Sequence, residues 1–358
     1  MDRSTSRMAG RMAAEDVGTV RGWLDGYKRY QVMLAAIRMQ LFNRLADHGG
    51  MTKEETISAF GIDGQHARFF LQALCDEGLL ELRQDLYVPT ELSARLLDRG
   101  SPAQIVDLFA SVSDPDGAWS RLGQGQLGQA DSPAMSGPPL SARYQQYLPG
   151  HMEIVKRIAD WAGFPLARSL LEIGDPAGLH AIGVCRNSPI LTGTVMCEPD
   201  REKEAGASIA QFNLGRRIGV RAGKLPEALA ELDGEAFDMA IVAHALYRHR
   251  KALVPFLQAV AATMRPGGLL VLDHYYCSPD CGEALSGLQD LDQALSIGYH
   301  PLCNAERFAT FVEMAGFTRL ETTELHGFCG RSRMFIAVKD GAVAPKPQEP
   351  QERGACCG

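Results

Sequence analysis

The sequence lacks any apolar run close to the roughly 20 residues that a membrane-spanning helix requires. Its first 20 residues are polar and charged and contain no hydrophobic signal core, which predicts a cytoplasmic protein with no membrane partner. An excess of basic residues is also absent, because the formal net charge is −7. This charge gives the chain no general attraction for nucleic acid, so the expected partners are small molecules or protein.

A disulfide framework is a third feature that the sequence lacks. The nine cysteines are an odd number and are scattered through 358 residues, unlike the dense pairs of small secreted domains, so most are expected to be reduced. The segment His274-x-x-Cys277-x-x-x-Cys281 has a spacing that metal sites use, but no second regular pair accompanies it. Small core residues and buried polar groups are the simpler interpretation, so no metal is predicted.

Changes of pattern divide the chain into five segments. The first segment contains no aromatic residue and the last is rich in proline and glutamine, which is typical of disordered ends. Between them we expect two domains joined by a helical connector with a flexible loop. The expected bounds are a leader at 1–20, a first domain at 21–100, the connector at 101–168, a second domain at 169–340 and a tail at 341–358.

The first domain has the pattern of a winged-helix unit. Apolar residues recur at steps of four and three over residues 23–45, which predicts one long helix with an apolar face. Thr52 and Glu55 form a capping box for a second helix. A third helix is predicted over 65–77, and a short hairpin follows over 79–88.

Winged helices often bind DNA, but the charges here argue against it. Residues 51–78 contain two basic residues, Lys53 and Arg68, and five acidic ones. DNA binding requires cations that neutralise phosphates. The pattern favours subunit pairing through the helix at 23–45, and packing of that apolar face within its own chain stays open as the alternative.

The second domain alternates strands with helical patterns, which predicts an α/β fold with a parallel sheet covered on both faces. The last two strands are joined by only a few residues, so the sheet is expected to end in an antiparallel hairpin. The predicted strands are 170–173, 192–197, 218–221, 237–243, 269–275, 318–326 and 332–338.

A glycine-bearing turn follows the first of these strands. Its pattern, Glu172-x-Gly174-x-Pro176-x-Gly178, does not fit the dinucleotide fingerprint G-x-G-x-x-G, which argues against a nicotinamide cofactor. It does fit acid-x-Gly-x-Gly-x-Gly with the middle glycine replaced by Pro176, which has no N–H and a fixed φ near about −65°. Glu198, at the end of the second strand, is placed to accept hydrogen bonds from a ribose diol, or is an ordinary solvated loop acid.

Several short motifs follow one another in a fixed order over residues 21–340. They are Leu41-Phe42-x-x-Leu45-Ala46, Ala67-Arg68-x-x-Leu71-x-x-Leu74, Gly78-Leu79-Leu80, Leu171-Glu172-x-Gly174, Met264-Arg265-Pro266-Gly267-Gly268, Asp273 and Glu313-x-Ala315-Gly316-Phe317. In order and spacing the chain resembles the class I S-adenosylmethionine-dependent O-methyltransferases that carry an N-terminal winged-helix dimerisation domain.

The resemblance implies a Rossmann-like methyltransferase sheet, S-adenosyl-L-methionine as cofactor and a homodimer formed through the N-terminal domain. It also implies methyl transfer to an oxygen of a small aromatic or polycyclic acceptor. Because Pro176 stands in the glycine turn, we expect altered affinity for the methyl donor. The residues implied at the cofactor are Glu172, Gly174 and Gly178 for methionine and ribose, Glu198 for the ribose hydroxyls, and Gly223 and Lys224 beside adenine.

The same resemblance implies a base just after the fourth strand, where the family carries a histidine followed by an acid. Here Tyr247 falls on the histidine position, His249 lies two residues later and no acid follows. The candidate catalytic residues are therefore His244, Tyr247 and His249. Methyl transfer also proceeds by positioning and desolvation alone, since alignment of the reacting atoms is worth several kcal/mol.

Four residues are predicted to face the acceptor. Arg248 and Arg250 belong to a basic run that is expected to open a helix, where cations oppose the macrodipole. We predict that they receive an anionic group such as a carboxylate, and a solvated charged turn is the alternative. His274 and His300 lie in segments expected to border the acceptor pocket.

Two other functions stay open. A degenerate member of the family would bind cofactor or ligand without methylating, or serve as a dimeric binding scaffold. A transcription regulator would require a basic face on the winged helix, which the sequence does not contain.

Overall fold

A computed structural model describes most of the chain in two compact units, Met1–Ala110 and Ser111–Gly358. The described residues are 14–101, 103–125, 148–174, 178–232, 236–277, 287–297, 301–327 and 330–341. Several predictions concern residues outside these ranges, namely the first part of the leader, most of the connector loop, the tail, Pro176, Cys281 and His300.

The first unit is helical with one two-stranded hairpin, as predicted. Strands β1 and β2 pair antiparallel, with Leu80 opposite Pro89. Its elements are α1 Ala14–Arg38, α2 Leu41–Asp47, α3 Lys53–Phe60, α4 Gly64–Asp76, β1 Leu80–Arg83, β2 Leu86–Pro89, α5 Glu91–Leu96 and α6 Val106–Val112, which continues into the second unit.

The prediction of a single helix over 23–45 is wrong, because Gln40 takes a left-handed φ of 55° and separates α1 from α2. The apolar period continues through the break since both helices pack into one core, where Ile37 and Leu41 are buried. Trp23 and Tyr27 do not join that core and are 72% and 66% exposed. Helix α1 begins at Ala14, so part of the expected leader is helical.

The predicted capping box at the start of α3 is confirmed. The Thr52 hydroxyl accepts a hydrogen bond from the Glu55 N–H at 3.2 Å, and the Glu55 carboxylate accepts one from the Thr52 N–H at 2.7 Å. Two orphan donors at the helix start are thereby satisfied.

The second unit contains a seven-stranded sheet in the order β5-β4-β3-β6-β7-β9-β8. The first five strands of the chain in this sheet are parallel, and β9 and β8 form the predicted antiparallel hairpin at one edge. Its elements are α7 Ala118–Gly123, α8 Pro149–Ala159, β3 Ser169–Ile173, α9 Leu179–Arg186, β4 Thr192–Cys197, α10 Glu202–Gln211, β5 Ile218–Ala222, β6 Phe237–Ala243, α11 Leu253–Ala262, β7 Met264–His274, α12 Gly287–Ile297, α13 Ala305–Met314, β8 Phe317–Gly327 and β9 Gly330–Lys339.

Helices cover both faces of this sheet. One apolar layer joins Leu171 of β3 to Phe256 of α11, and the other joins Leu170 of β3 to Ile158 of α8. Because side chains alternate along a strand, Glu172 faces the same side as Leu170, toward α8 and α9. The strand that carries the predicted cofactor acid is thus buried on both faces. Within the described ranges, no helix combines the length and apolarity needed to cross a membrane.

Candidate functional site

The candidate site lies at the carboxyl edge of the sheet, where the chain order reverses. Strand β3 has β4 on one side and β6 on the other, so helices leave these strand ends in opposite directions and open a crevice. Gly174 follows β3, Glu198 follows β4 and His244 follows β6. The fold therefore brings three of the predicted site residues to one edge.

Gly174 and Gly178 occupy positions that only glycine tolerates. Their φ angles are +103° and +65°, in the region that L side chains rarely adopt. A Cβ on Gly174 would lie 2.7 Å from the Ala243 oxygen, and one on Gly178 would lie 2.8 Å from Cγ2 of Val195. The ends of the turn are thus pressed against β6 and β4, and the effect predicted for Pro176 stays a prediction.

Glu172 is fully buried, and its carboxylate is used within the chain. One oxygen accepts the His180 N–H at 3.1 Å and the Nδ1–H of His180 at 2.9 Å. The other accepts the Ala181 N–H at 2.7 Å. The acid therefore caps the N-terminus of α9, where negative charge is stabilised. Both oxygens of Glu172 therefore already have donors within the chain.

His180 and His151 were not singled out from the sequence. Their rings pack 5.0 Å apart, His180 from α9 and His151 from α8. Burial, followed by the nearby His180 and Arg186, lowers the pKa of His151 from 6.5 to about 3, so its ring is neutral. The only sequence signal was the position of His180 just after Gly178, because nothing local links it to His151.

The other residues predicted at the cofactor follow two further strands. Glu198 follows β4, and Gly223 and Lys224 follow β5. Glu198 is half-buried, and no donor in the described part of the chain reaches its carboxylate. The N–H of Gly223 donates to the Cys197 oxygen at 3.0 Å, which ties the two strand ends together. A Cβ on Gly223 would lie 2.5 Å from that of Ala228, while Lys224 is exposed.

His244 and Tyr247 form a hydrogen-bonded group with Asp273 and Tyr275. Nδ1 of His244 lies 2.7 Å from the Tyr247 hydroxyl, which accepts the Tyr275 N–H at 2.8 Å. Nε2 of His244 lies 3.5 Å from the Asp273 carboxylate, and the His244 and Tyr275 rings are 4.7 Å apart. The backbone of His244 has a left-handed φ of 51°, and its N–H donates to the backbone carbonyl oxygen of Asp273. Strained backbone of this kind is common at functional sites.

The hydrogen bonds favour one tautomer of His244. Tyr247 has a single hydroxyl hydrogen, and because its oxygen accepts from Tyr275, that hydrogen is free to point at Nδ1. The remaining hydrogen then sits on Nε2, facing the Asp273 carboxylate. Burial raises the pKa of Tyr247 well above 10, so the phenol stays protonated.

His244 remains accessible at the edge of the sheet, with 38% of its side chain exposed. Loss of solvation around the ring lowers the pKa of His244, and this effect outweighs the attraction of the Asp273 carboxylate, which would raise it. The structure therefore holds a neutral histidine beside a carboxylate at the crevice. The role of Asp273 was missed because its partner lies on another strand.

His249 does not join this group. Its ring packs 4.9 Å from that of Phe256. Burial lowers its pKa, while the charges of Glu198 and Glu227 oppose that shift. Of the three catalytic candidates, the structure brings together His244 and Tyr247 only.

The placement of His274 contradicts its predicted contact with an acceptor. The side chain is fully buried among aromatic rings, and its Nε2 lies 3.3 Å from the Leu246 N–H, which donates to it. Burial lowers its pKa well below 6.5, so it is a neutral core residue. The alternation of strand β7 explains the error, since Asp273 and His274 point to opposite faces.

The basic run also differs from expectation. Residues Tyr247–His249 form a 3-10 turn, and α11 begins at Leu253, so the cations precede the helix and do not open it. Arg248 is exposed and Arg250 is half-buried.

In the described residues, no group of three or more potential metal ligands comes together.

Three comparisons place this geometry among known proteins. The family model of the O-methyltransferase dimerisation domain matches residues 22–99. The chain is 28% identical over 209 residues to 3-hydroxy-5-methyl-1-naphthoate 3-O-methyltransferase of Streptomyces sahachiroi. That match covers 55% of this chain and spans only 60% of the relative's length.

Solved structures share the whole fold at low identity. An O-methyltransferase family protein from Burkholderia thailandensis aligns with a TM-score of 0.71 and 22% identity, covering 91% of this chain and 99% of that one. Human N-acetylserotonin methyltransferase in complex with S-adenosylmethionine aligns with a TM-score of 0.64 and 16% identity, covering 92% and 99%. Residues 22–99 therefore match the O-methyltransferase dimerisation domain, and the chain shares its fold with these methyltransferase structures.

Proposed function

We propose that the protein transfers a methyl group from S-adenosylmethionine to a hydroxyl oxygen of a small aromatic or polycyclic acceptor. The observation that carries this proposal is the pair of positive-φ glycines, Gly174 and Gly178, at the point where the strand order reverses, with Glu198 at the next strand end. The hydroxynaphthoate in the name of the Streptomyces relative supports a polycyclic acceptor.

The residues at the crevice fit the cofactor. Gly174 and Gly178 bring backbone without side chains to this edge of the sheet, and the Glu198 carboxylate has no donor among the described residues, which suits a ribose diol. Gly223 and Lys224 would lie beside adenine. When bound, the cofactor supplies an electrophilic methyl group on a positively charged sulfur. Glu172 would act indirectly, by holding the turn.

On the acceptor side we assign His244 and Asp273 to the hydroxyl. The 3.5 Å between Nε2 and the Asp273 carboxylate is longer than a hydrogen bond, so an acceptor hydroxyl has room to bond to both groups. The hydroxyl oxygen would accept the Nε2–H of His244, and the Asp273 carboxylate would take up the proton that leaves the hydroxyl, while Tyr247 holds the ring. Proton transfer of this kind contributes about 10²–10⁴-fold in rate.

An anionic acceptor group is assigned to Arg248 and Arg250, on the turn that follows His244. Replacing both arginines with alanine should weaken the acceptor's affinity and remove its salt dependence, because a screened charge contact is lost. Unchanged, salt-insensitive affinity would favour the solvated turn.

A homodimer is proposed through the first unit. The match of residues 22–99 to a dimerisation domain supports it, as does the exposed aromatic surface of α1 at Trp23 and Tyr27. Exposed apolar side chains grouped on one helix are typical of interaction surfaces.

A second candidate function is cofactor binding without methyl transfer. It is favoured by Tyr247, a buried phenol of raised pKa at the position where the family carries its base. Calorimetric titration with S-adenosylhomocysteine, the spent cofactor, tests what the two candidates share, and a wild-type chain that produces no heat would exclude both. Formation of a methylated product then separates them.

The role of Glu198 is tested in the same titration. Glu198→Gln should weaken S-adenosylhomocysteine binding by about 10-fold or more, since hydrogen bonds to a charged group contribute about 1.5–3 kcal/mol. Glu202→Gln, which changes an exposed acid at the start of α10, is the matched control and should bind like the wild type. Equal affinity of all three proteins would show that Glu198 does not contact the ribose.

A further inference from the structure

Tyr275, the residue that follows strand β7, is held by its backbone on both sides. Its N–H donates to the Tyr247 hydroxyl at 2.8 Å, and its carbonyl oxygen accepts the Leu302 N–H at 3.0 Å. The next residue, Tyr276, continues this pairing as a bridge to Leu302. These bonds tie Tyr275 to two other segments of the second unit, so the direction in which its side chain leaves the backbone is fixed.

The ring of Tyr275 lies beside the histidine of the candidate site. Its centroid is 4.7 Å from that of His244, with 38° between the two ring planes. The Tyr247 ring lies 6.3 Å from the Tyr275 ring and is nearly parallel to it, at 15°. Aromatic rings at such separations attract one another, so Tyr247, His244 and Tyr275 support one another as a group.

Two rings of this group are accessible. The His244 side chain is 38% exposed and Tyr275 is half-buried, whereas Tyr247 is buried. Tyr247 therefore supports the other two rings from within the protein. Because the rings of His244 and Tyr275 are in contact, their accessible parts form one aromatic surface beside the Asp273 carboxylate.

An acceptor whose hydroxyl lies between His244 and Asp273 comes within reach of Tyr275. Asp273 precedes Tyr275 by two residues, which corresponds to about 6–7 Å of extended chain. Side chains two residues apart leave an extended chain on the same side, whereas His274 between them is buried in the core. An aromatic ring joined directly to that hydroxyl therefore lies beside the Tyr275 ring.

We propose that Tyr275 determines acceptor specificity: its ring packs against the flat ring of an aromatic acceptor whose hydroxyl is held by His244 and Asp273. A flat aromatic ring gains more from this contact than a puckered, saturated ring does, because only the flat ring can stack. The inference rests on the proposed function, because the acceptor hydroxyl is taken to lie between these two groups.

The test removes the ring of Tyr275 and keeps the bulk of the side chain. Tyr275→Leu removes the ring, Tyr275→Phe keeps it, and His326→Leu, at an exposed histidine of β8 in the same unit, is the matched control. Calorimetry in the presence of S-adenosylhomocysteine measures the affinity for a hydroxynaphthoate and for its fully hydrogenated counterpart, whose rings are puckered. Affinity for S-adenosylhomocysteine alone is measured on the same samples.

The wild type should prefer the hydroxynaphthoate to the hydrogenated acid. Tyr275→Leu should bind the hydroxynaphthoate about 5–10-fold more weakly, as expected when an aromatic pair is lost, and the hydrogenated acid as before. Its preference should therefore narrow by the same factor, which a merely structural role of Tyr275 would not cause. Tyr275→Phe should stay within about 2-fold of the wild type, and His326→Leu should be unchanged.

Affinity for S-adenosylhomocysteine should be the same in every variant, which separates loss of stacking from loss of the fold. A leucine variant that does not bind S-adenosylhomocysteine is replaced by Tyr275→Ile, for which the same narrowing is expected. Loss of this binding in both variants would make Tyr275 a residue of the fold and would overturn the inference.

Three further results would count against the inference. Equal affinity of the wild type for the two acids, or an unchanged preference in Tyr275→Leu, would show that the acceptor does not stack on this ring. Equal losses in Tyr275→Phe and Tyr275→Leu would show that the hydroxyl and not the ring is responsible. A wild type that binds neither acid, or no S-adenosylhomocysteine, would instead remove the proposed function, and the inference with it.

Discussion

His151 ties the stability of the second unit to pH. Its pKa is about 3 in the folded chain, against an ordinary 6.5, because burial disfavours the charged ring. The stabilisation by the neutral ring is therefore complete above pH 6.5 and is lost as the pH falls toward 3. At about pH 4.5, two units below the ordinary pKa, the free energy of unfolding should be lower by about 3 kcal/mol, because one pKa unit corresponds to about 1.36 kcal/mol.

His151→Phe keeps a packed ring that does not titrate. Between neutral pH and about pH 4.5, its free energy of unfolding in urea should therefore fall by about 3 kcal/mol less than that of the wild type. His326→Phe, at an exposed histidine, should follow the wild type. The same pH dependence in His151→Phe and the wild type would contradict the assignment.

Tyr247 determines the state of His244. Tyr247→Phe removes the hydrogen bond to Nδ1, which favours the neutral ring, so the pKa of His244 should rise. The Tyr275 N–H also loses the Tyr247 hydroxyl as its acceptor, so the free energy of unfolding should fall by about 1–2 kcal/mol. NMR titration of the His244 ring and chemical denaturation measure the two effects.

Tyr276→Phe is the control for this substitution. The Tyr276 hydroxyl is buried, and none of the described groups pairs with it, so its removal should leave both quantities close to those of the wild type. A pKa of His244 that does not respond to Tyr247→Phe would show that the phenol does not select the tautomer.

Among the helices and strands, the capping box at the start of α3 should contribute to the stability of the first unit. Thr52→Ala removes the side chain that accepts the Glu55 N–H, and loss of such a cap costs about 1 kcal/mol. Thr52→Ser keeps the hydroxyl and should retain most of the stability. Denaturation of the two variants measures the difference, and equal loss in both would mean that the methyl group and not the cap is responsible.

The strands were predictable because buried parallel strands are short apolar runs between turn signals. β6 matches its prediction at Phe237–Ala243, whereas β7 starts at Met264, earlier than predicted, because the glycines and proline that follow look like a turn. The break at Gln40 was missed for the opposite reason, since the apolar period continues through it.

Residues of the candidate site also differ in how far the sequence alone reveals them. Glu172, Gly174 and Gly178 could be singled out from the sequence because they form one local motif. The pairs His180–His151 and His244–Asp273 join elements far apart in the chain, and no local pattern encodes such contacts. The burial of His274 depends on which face of β7 it occupies, which becomes known only when the strand's register is known.

At the scale of the molecule, the exposed surface of α1 predicts how subunits associate. Trp23→Glu places a charge where an apolar side chain would be buried, and loss of a central aromatic residue typically costs more than 1 kcal/mol of binding. The dissociation constant of the dimer should therefore rise by about 10-fold or more in sedimentation experiments. Leu166→Glu, at an exposed leucine of the second unit, should leave association unchanged, and equal effects of the two substitutions would contradict pairing through α1.

Methyl transfer to a hydroxyl oxygen at the crevice of the second unit is tested most directly by mass spectrometry. Hydroxynaphthoates are incubated with the protein and with S-adenosylmethionine that carries an isotopically labelled methyl group. The wild type should form a labelled methyl ether, and His244→Ala should form it at least about 10²-fold more slowly. Binding of S-adenosylhomocysteine without any labelled ether, or an undiminished rate in His244→Ala, would contradict this prediction.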